Sequence, residues 1–261
     1  QRNLSRSRSR TLSIQPANLG SLRVAVVHDW LTGMRGGESA LEHILTLVPG
    51  SQLFTLMHTG GSVSAQIESH RPRHTFLQHL PFSRTRYRNY LPIFPTAIEQ
   101  LDLDDYDVVI STSHCAAKAA IPPGKARHLC YCFTPMRYAW DQFDAYFGVE
   151  QVGQWQSRFY RIAMNRLAQW DMTTAGRVDR YVAISQYVAS RIDRYYNREA
   201  DVIYPPVDTN FYCPNRSKPR GYFVVVSALV PYKRVDMAIN ACRLAGVELR
   251  VVGTGPEAKR L

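Results

Sequence analysis

A lysine and a glycine-rich turn near the carboxyl end of the sequence carry its clearest chemical signal. Lys233 follows an apolar run at 222–226, and a Gly-Thr-Gly-Pro turn at 253–256 ends the next apolar run, 249–252. If these runs are buried strands and Lys233 sits just inside the helix between them, the ammonium, the helix terminus and the glycines all suit a diphosphate. Taken alone, Lys233 would be interpreted as a solvated lysine. The expected phosphate-binding residues are Lys233, Arg234, Gly253, Gly255 and Glu257.

A second glycine loop lies near the amino terminus. The apolar run 23–28 is followed by Gly36, Gly37 and Glu38, where a helix is expected to begin. Free N–H groups at a helix amino terminus bind anions, and glycines allow a ligand to approach the backbone, so this loop predicts a phosphate or sugar site. The spacing is not G-x-G-x-x-G, and a tight turn without a ligand explains the glycine pair equally well.

Three further polar residues are candidates for catalysis or binding. His114 follows a strand predicted at 107–111, at the edge of the sheet where doubly wound folds place ligands. Arg137 and Asp141 lie in an expected irregular segment after the strand predicted at 127–132, and they could bind an acceptor or a sugar. The alternatives are a structural histidine and a local ion pair between two charges four residues apart.

Short apolar runs alternate with longer amphipathic stretches, which predicts parallel α/β construction. The expected strands cover 23–28, 52–56, 107–111, 127–132, 180–184 and 201–203, and the expected helices cover 37–47, 84–101, 152–174 and 186–196. Six strands and four helices make one Rossmann-like domain. The apolar side chains of the third helix, Phe159, Ile162, Leu167 and Trp170, are expected to pack in the core rather than to anchor a membrane.

Composition changes along the chain predict four segments. Residues 1–22 hold four arginines among serines and no acid, which is typical of a disordered basic tail. Residues 23–203 form the Rossmann-like domain. Three prolines in 204–214 forbid a helix there and, with the polar stretch 215–221, indicate a linker over 204–221. Residues 222–261 are expected to open a second, incomplete domain, because 40 residues are too few for a full Rossmann domain of roughly 100 to 200 residues.

Charge and composition limit the classes of partner. The 261 residues carry a net charge of +11 with a pI near 9.6, which favours anionic partners such as nucleotides, nucleic acid or acidic lipid. The five cysteines form no zinc motif, so we expect a reduced, cytoplasmic setting and no metal. The stretch 71–90 interleaves arginines with aromatics, which suits acidic lipid headgroups, RNA or a solvated helix.

Taken in order, the motifs resemble glycosyltransferase family 4, whose members have the GT-B fold. The resemblance rests on residues 36–38, 205–211, 226–236 and 252–257, and it covers about residues 23 to 261. Residues 134–141, Thr-Pro-Met-Arg-Tyr-Ala-Trp-Asp, further resemble a subgroup that includes bacterial mannosyltransferases of polysaccharide assembly.

The resemblance implies a retaining transfer of a sugar from a nucleotide diphosphate sugar, with two Rossmann-like domains closing over a cleft. The amino-terminal domain would bind a lipid-linked or polysaccharide acceptor, at the cytoplasmic face of the membrane. Lys233 matches the lysine that neutralises the leaving diphosphate, and Gly36 and Gly37 match the loop near the donor phosphates and the acceptor. No cofactor or metal is implied, and GDP-mannose is the donor that the subgroup suggests.

Three departures from the family pattern bear on activity. An arginine expected five residues before Lys233 is Ala228, a position for which Arg234 could substitute, and a histidine expected before Thr134 is Phe133, for which His114 could partly stand in. The family's pair of glutamates would lie beyond residue 261. A truncated inactive transferase is therefore one alternative. Another is a basic nucleic-acid-binding module, although nucleic acid is not the expected partner.

Overall fold

The structure is a computed structural model that describes residues 21–83, 87–214 and 220–261. Its strands are β1 (Val24–His28), β2 (Gln52–Thr55), β3 (Arg73–His74), β4 (Val108–Ser113), β5 (Arg127–Cys132), β6 (Arg180–Ala183), β7 (Ala200–Val202), β8 (Phe223–Val226) and β9 (Leu249–Val252). Its described α-helices are α1 (Gly36–Leu47), α2 (Ala65–Ser69), α3 (Phe94–Glu99), α4 (Arg137–Trp140), α5 (Phe143–Phe147), α6 (Val149–Val152), α7 (Gln154–Thr173), α8 (Gln186–Tyr196) and α9 (Val235–Ala245).

The chain divides into two compact units. The first comprises residues up to 137 together with 165–205, and the second comprises residues 138–164 and 206–261. The predicted linker and the assignment of acceptor and donor domains stay predictions. Most of the predicted basic tail, along with residues 84–86 and 215–219, lies outside the described residues.

The first unit is built on a parallel sheet of seven strands in the order β3-β2-β1-β4-β5-β6-β7. β1 lies inside the sheet between β2 and β4, and every one of its residues is buried, as expected for a strand covered on both faces. On one face, Val24 and Val26 pack with Leu41 and Leu45 of α1. The predicted α/β architecture with a Rossmann-like domain is confirmed.

The predicted strands and most helices lie within two residues of their observed bounds, but two expectations were wrong. Of the range predicted as one helix, 84–101, the described part 87–101 is not a single helix: a 3-10 helix covers Tyr87–Ile93 and α3 follows it. Pro92 and Pro95 explain the difference, because each lacks a backbone N–H and prevents a continuous helix. The edge strand β3 was missed because it is only two residues long and exposed, so it has no apolar alternation.

Helix α7 corrects the expectation that its apolar residues all pack in the core. Leu167 is buried, but Phe159 and Ile162 are 67% and 59% exposed. The indole N–H of Trp170 donates to Oε1 of Glu99 at 2.9 Å, which places that ring at the rim of the core. Apolar residue type therefore did not identify the buried face of this helix. Within the described residues, no helix is both long and apolar enough to cross a membrane.

In the second unit, β8 and β9 pair in parallel and α9 connects them, as the sequence predicted. Gly246 ends α9 in the left-handed conformation with φ 65°, a common helix stop. Both strands leave most of their side chains exposed. This strand–helix–strand unit positions the second glycine turn.

Candidate active site

The order of strands in the first unit creates a crevice between β1 and β4. Successive strands proceed outward from β1 in one direction and from β4 in the other, so the loops that follow these two strands diverge. Such a switch point is where open parallel sheets bind ligands, outside the carboxyl ends of the strands. His28 and Thr112 are register partners there, so the residues that follow them begin side by side.

Asp29, directly after β1, makes the densest set of polar contacts at this edge. Its fully buried carboxylate accepts hydrogen bonds from the backbone N–H groups of four consecutive residues: His114 at 2.6 Å, Cys115 at 2.9 Å, Ala116 at 2.6 Å and Ala117 at 2.7 Å. Nδ1 of His114 lies 3.0 Å from Oδ2 of the same carboxylate. Burial acts to raise the pKa of Asp29, but the charge and hydrogen bonds of His114 lower it to about 2. Asp29 is therefore ionised at neutral pH.

His114 is held by this contact through one of its two ring nitrogens. Because the ionised Asp29 can only accept, Nδ1 carries the proton, and Nε2 of the neutral ring is an acceptor. The side chain is 21% exposed, and the described residues provide no hydrogen-bond partner for Nε2. The ring packs edge-on against Trp30, with centroids 4.4 Å apart. The structure thus presents an oriented histidine at the position the sequence indicated.

The Gly36-Gly37-Glu38 loop forms the first turn of α1, at the same edge. Oε2 of Glu38 accepts from the backbone N–H of Arg35 at 3.1 Å, so Glu38 caps the helix to which it belongs. Its other oxygen lies 4.0 Å from Nε2 of the buried His28. Burial raises the pKa of Glu38 and the adjacent His28 lowers it, with a net decrease. Glu38 is buried, so its contribution to ligand binding through the side chain stays a prediction.

Phe133 lies between the glycine loop and the histidine. It follows β5, and its ring centroid is 6.3 Å from that of His114. A Cβ atom on Gly37 would lie 3.4 Å from the Phe133 ring, whereas one on Gly36 would meet nothing within 4 Å. The backbone of the first turn of α1 is therefore uncovered at Gly36. The structure brings Gly37 and His114 together around Phe133, the position at which the family pattern expects a histidine.

Arg137 and Asp141 stand in a different setting from the one expected. The segment is not irregular at Arg137, because α4 begins at that residue, and Asp141 follows the end of this helix. Arg137 belongs to the first unit and Asp141 to the second. Their roles in binding an acceptor or a sugar stay predictions.

The second unit contains the other predicted loop, where the segments that follow β8 and β9 are hydrogen-bonded to each other. The N–H of Ser227 donates to the carbonyl of Val252 at 3.0 Å, and the N–H of Leu229 donates to the carbonyl of Thr254 at 2.8 Å. A side chain on Gly253 or Gly255 would overlap the backbone oxygen of Ser227 or Leu229, and both glycines have φ near +155°. This geometry requires glycine at both positions.

Lys233 does not lie inside a helix, which corrects the expectation from sequence. It ends the 3-10 turn Pro231–Lys233, and α9 begins two residues later. Arg234 separates the two elements, and its φ of 47° lies in the left-handed region, so the chain changes direction there. Lys233 forms no ion pair with a described residue, and its ammonium is 5.6 Å from the Tyr232 ring centroid. Its charge is available for an anion beside the amino terminus of α9.

The other two charged residues predicted for this loop are engaged locally. The Arg234 guanidinium bonds the carboxylate of Asp236 at 3.1 Å, and this contact lowers the pKa of Asp236. The carboxylate of Glu257 pairs with Arg260, while its backbone N–H donates to the carbonyl of Leu229 at 3.1 Å. Arg234 and Glu257 shape the loop, and their contacts with phosphate stay predictions.

A buried lysine that the sequence did not indicate fixes the turn after His114. Nζ of Lys118 donates to Thr174 Oγ1 and lies 3.1 Å from Oδ1 of Asp171, and both charged groups are almost fully buried. Tyr196 donates its hydroxyl proton to the same carboxylate at 2.9 Å. The partners of Lys118 are more than 50 residues away in sequence, so no local pattern could have identified the cluster. Among the described residues, no group of metal-ligating side chains converges.

Comparisons with known proteins agree with this architecture. The model of the family described as Glycosyltransferase Family 4 matches residues 52–211. The structure is similar to that of Anabaena Alr3699/HepE in complex with UDP, with a TM-score of 0.58 and 14% identity over 92% of this chain and 63% of that one. The complex of the same protein with UDP and glucose gives a TM-score of 0.56 and 15% identity over 88% of this chain and 60% of that one.

The chain thus spans about three fifths of the length of these solved structures. Among curated proteins, none matches it. The family match covers more than half of the chain, and the shared fold is that of GT-B glycosyltransferases. The chain belongs to glycosyltransferase family 4.

Proposed function

We propose that this protein transfers a hexose, with retention of the anomeric configuration, from a nucleotide diphosphate sugar to a lipid-linked or polysaccharide acceptor. The observation that carries the proposal is the loop of the second unit. There Lys233 lies two residues before the start of α9, and Gly253 and Gly255 pack against the backbone of the same loop. The UDP and glucose bound by the HepE structures support a nucleotide sugar as substrate.

The chemistry of the proposed transfer fits the charges of this loop. When the bond between the sugar and the diphosphate breaks, negative charge builds on the leaving diphosphate. The Lys233 ammonium and the free N–H groups of α9 would stabilise that charge where it develops. Gly253 and Gly255 would allow the phosphates to approach the backbone, with Arg234 and Glu257 at the edges. These cationic groups would do the work that a metal ion does in other transferases.

The first unit would supply the acceptor side of the reaction. Nε2 of His114 would accept a hydrogen bond from the acceptor hydroxyl and take its proton as that oxygen bonds to the anomeric carbon. Retention requires this attack to come from the face of the sugar that the diphosphate leaves. The uncovered backbone at Gly36, next to Gly37, would let donor and acceptor come close, while Arg137 and Asp141 would bind acceptor or sugar. His114 would thereby replace the family histidine that is Phe133 here, since the two rings are neighbours.

Mannose, donated by GDP-mannose, is the proposed sugar, on the basis of the resemblance of residues 134–141. UDP-glucose is the competing donor, because the HepE structures contain it or its parts. Calorimetric titration of the protein with each donor distinguishes them: the proposal expects tighter binding of GDP-mannose, and tighter binding of UDP-glucose would overturn the choice of mannose.

The assigned phosphate site is tested by replacing Lys233→Ala. We expect nucleotide diphosphate affinity to fall tenfold or more in calorimetry, equivalent to about 1.4 kcal/mol. Lys125→Ala, which removes a lysine charge from the first unit, is the matched control and should leave the affinity unchanged. Equal losses in both variants would point to a general charge effect, and no loss in Lys233→Ala would show that the site is elsewhere.

A further inference from the structure

Asp29 has no place in the chemistry described above, yet it contacts the proposed catalytic histidine. Its carboxylate is fully buried, and its Oδ2 lies 3.0 Å from Nδ1 of His114, the ring nitrogen that the proposed transfer does not use. We infer that Asp29 is a positioning residue that locks His114 in the Nδ1–H tautomer, with Nε2 directed to a substrate hydroxyl. The role of Asp29 in transfer rests on the proposed function, whereas the tautomer of His114 rests only on the geometry of the first unit.

The hydrogen-bond count shows why the carboxylate can act only as an acceptor. Four backbone N–H groups and one imidazole nitrogen share its two oxygens, all within 3.0 Å. A protonated Asp29 would have to point a hydrogen at one of these donors, so the site excludes it. The other tautomer of His114 would place the lone pair of Nδ1 3.0 Å from this ionised oxygen, which is repulsive. The tautomer of the ring is therefore imposed by Asp29.

Further contacts fix the backbone and the ring of His114. The N–H of His114 itself donates to Oδ2 of Asp29, so the same carboxylate holds both ends of the residue. Trp30 packs edge-on against the ring, and Lys118 secures the next turn through Asp171. A histidine held in this way loses little freedom on accepting a hydroxyl, and Asp29 also stabilises the positive charge that the ring gains with a proton.

A second interpretation is that Asp29 serves only to anchor the loop from His114 to Ala117. Under that interpretation the tautomer of His114 would have no effect on transfer, and an amide at position 29 would alter stability alone. The two interpretations differ in whether Asp29→Asn lowers kcat and in how its effect combines with that of His114→Ala.

The first test measures the tautomer in the unaltered full chain. Long-range ¹H–¹⁵N correlation NMR at a pH where the ring is neutral should show Nδ1 of His114 protonated and Nε2 bare, with the signals assigned by their absence in His114→Gln. A protonated Nε2 would overturn the inference. This measurement needs no substrate, so it stands even if no donor is turned over, a result that would count against the proposed function alone.

The second test uses the variants Asp29→Asn and His114→Ala. We expect each to lower kcat tenfold or more with little change in the KM for the nucleotide sugar, and the double variant to be no worse than His114→Ala, because Asp29 acts through the histidine. Asp201→Asn, at an exposed ion pair of the same unit, is the control and should keep wild-type kcat.

Losses that multiply in the double variant would show that Asp29 acts independently of His114. A folded Asp29→Asn variant that keeps both wild-type kcat and the Nδ1–H tautomer would likewise exclude a positioning role. If Asp29→Asn does not fold, the tautomer of the unaltered chain still tests the lock on the ring, and wild-type kcat in His114→Ala would exclude its role in transfer.

Discussion

His128, in the core of the first unit, is a residue whose protonation is controlled by burial. Its Nδ1 donates to the carbonyl of Arg177 at 3.0 Å, and its Nε2 accepts the hydroxyl proton of Ser111 at 2.8 Å. Burial lowers the pKa of His128 to about 4, against a contribution from the Arg177 carbonyl that raises it. The neutral ring satisfies both contacts, and a second ring proton would oppose the Ser111 bond.

The lowered pKa predicts that acid destabilises the fold through His128. The unfolded chain takes up this proton near pH 6.5 and the folded chain only near pH 4, so the stabilisation is complete above pH 6.5 and is lost as the pH falls between these values. Over this range the wild type should lose about 3 kcal/mol more unfolding free energy than His128→Gln in urea titrations. Parallel pH dependences of the two proteins would contradict the prediction.

The placement of single residues could be predicted from sequence when it follows from position along a strand. His114 lies at the expected edge of the sheet because it follows a predicted strand at its carboxyl end, while its role stays a prediction. Asp29 also follows a predicted strand, but its significance depends on residues 85 to 88 positions away. Lys118 had no signal at all, because its charge partner is on a distant helix and its own neighbours are alanines. Long-range pairing is what a single sequence does not contain.

At the scale of elements, the close approach of the segments that follow β8 and β9 depends on Gly253. Gly253 has φ +154°, and a Cβ atom there would overlap the carbonyl oxygen of Ser227. Replacing Gly253→Ala should therefore destabilise the β8–β9 pair by about 3 kcal/mol or more and abolish the proposed phosphate binding.

Hydrogen exchange of the β8 and β9 amides measures this effect directly. Exchange in Gly253→Ala should be faster by two orders of magnitude or more, as expected for that free energy. Gly50→Ala is the control, because a Cβ at that position meets nothing within 4 Å. Wild-type exchange in Gly253→Ala would show that the loop relaxes to accept a side chain.

Elements were predictable where local chemistry agreed with tertiary packing. Helix α8 begins and ends at the predicted residues, because Ser185 caps its first turn and Asn197 ends it in the left-handed conformation. The prediction of an α-helix in the segment before α3 was wrong because amphipathic spacing was given more weight than Pro92. Phe159 of α7 was placed in the core because an apolar side chain was taken as evidence of burial.

The whole molecule combines a strong positive charge with a described surface that mixes arginines and aromatics. Net charge is +11, and the stretch 71–90 exposes Phe76 and Phe82 beside Arg71, Arg73 and Arg88. Tyr87 of this stretch is buried, so its aromatics do not all face solvent. The exposed set suits acidic lipid headgroups, one of the partners that the sequence predicted for this stretch, and peripheral association with a membrane stays a prediction.

We therefore expect the protein to sediment with vesicles of anionic phospholipid and to dissociate as salt rises. Replacing all three arginines by glutamine should weaken binding by about 3 kcal/mol, at about 1 kcal/mol for each cation near the surface. Substituting Arg127, Arg180 and Arg250, three exposed arginines elsewhere, controls for net charge. Equal losses in the two triple variants would show that charge acts without a defined surface.

At this scale the sequence predicted the family and the sheet, because ordered motifs and alternating elements are properties of the chain itself. It did not predict the composition of the two units. Residues 138–164 group with the carboxyl-terminal segment although they are flanked by residues of the first unit. Such an excursion depends on packing between distant segments, which hydrophobic periodicity does not encode.

The contacts of Asp29 also restrict where a phosphate can bind. Four successive backbone N–H groups that converge on one point form a concave anion receptor of the kind that cradles phosphates in other folds. Here the receptor after β4 is already filled by a carboxylate from the chain itself, and a phosphate would have to displace a buried negative charge. A phosphate at the end of β4 is thus disfavoured, and under the proposed function recognition of the diphosphate would fall to the loop of the second unit, which combines Lys233 with the N–H groups at the start of α9.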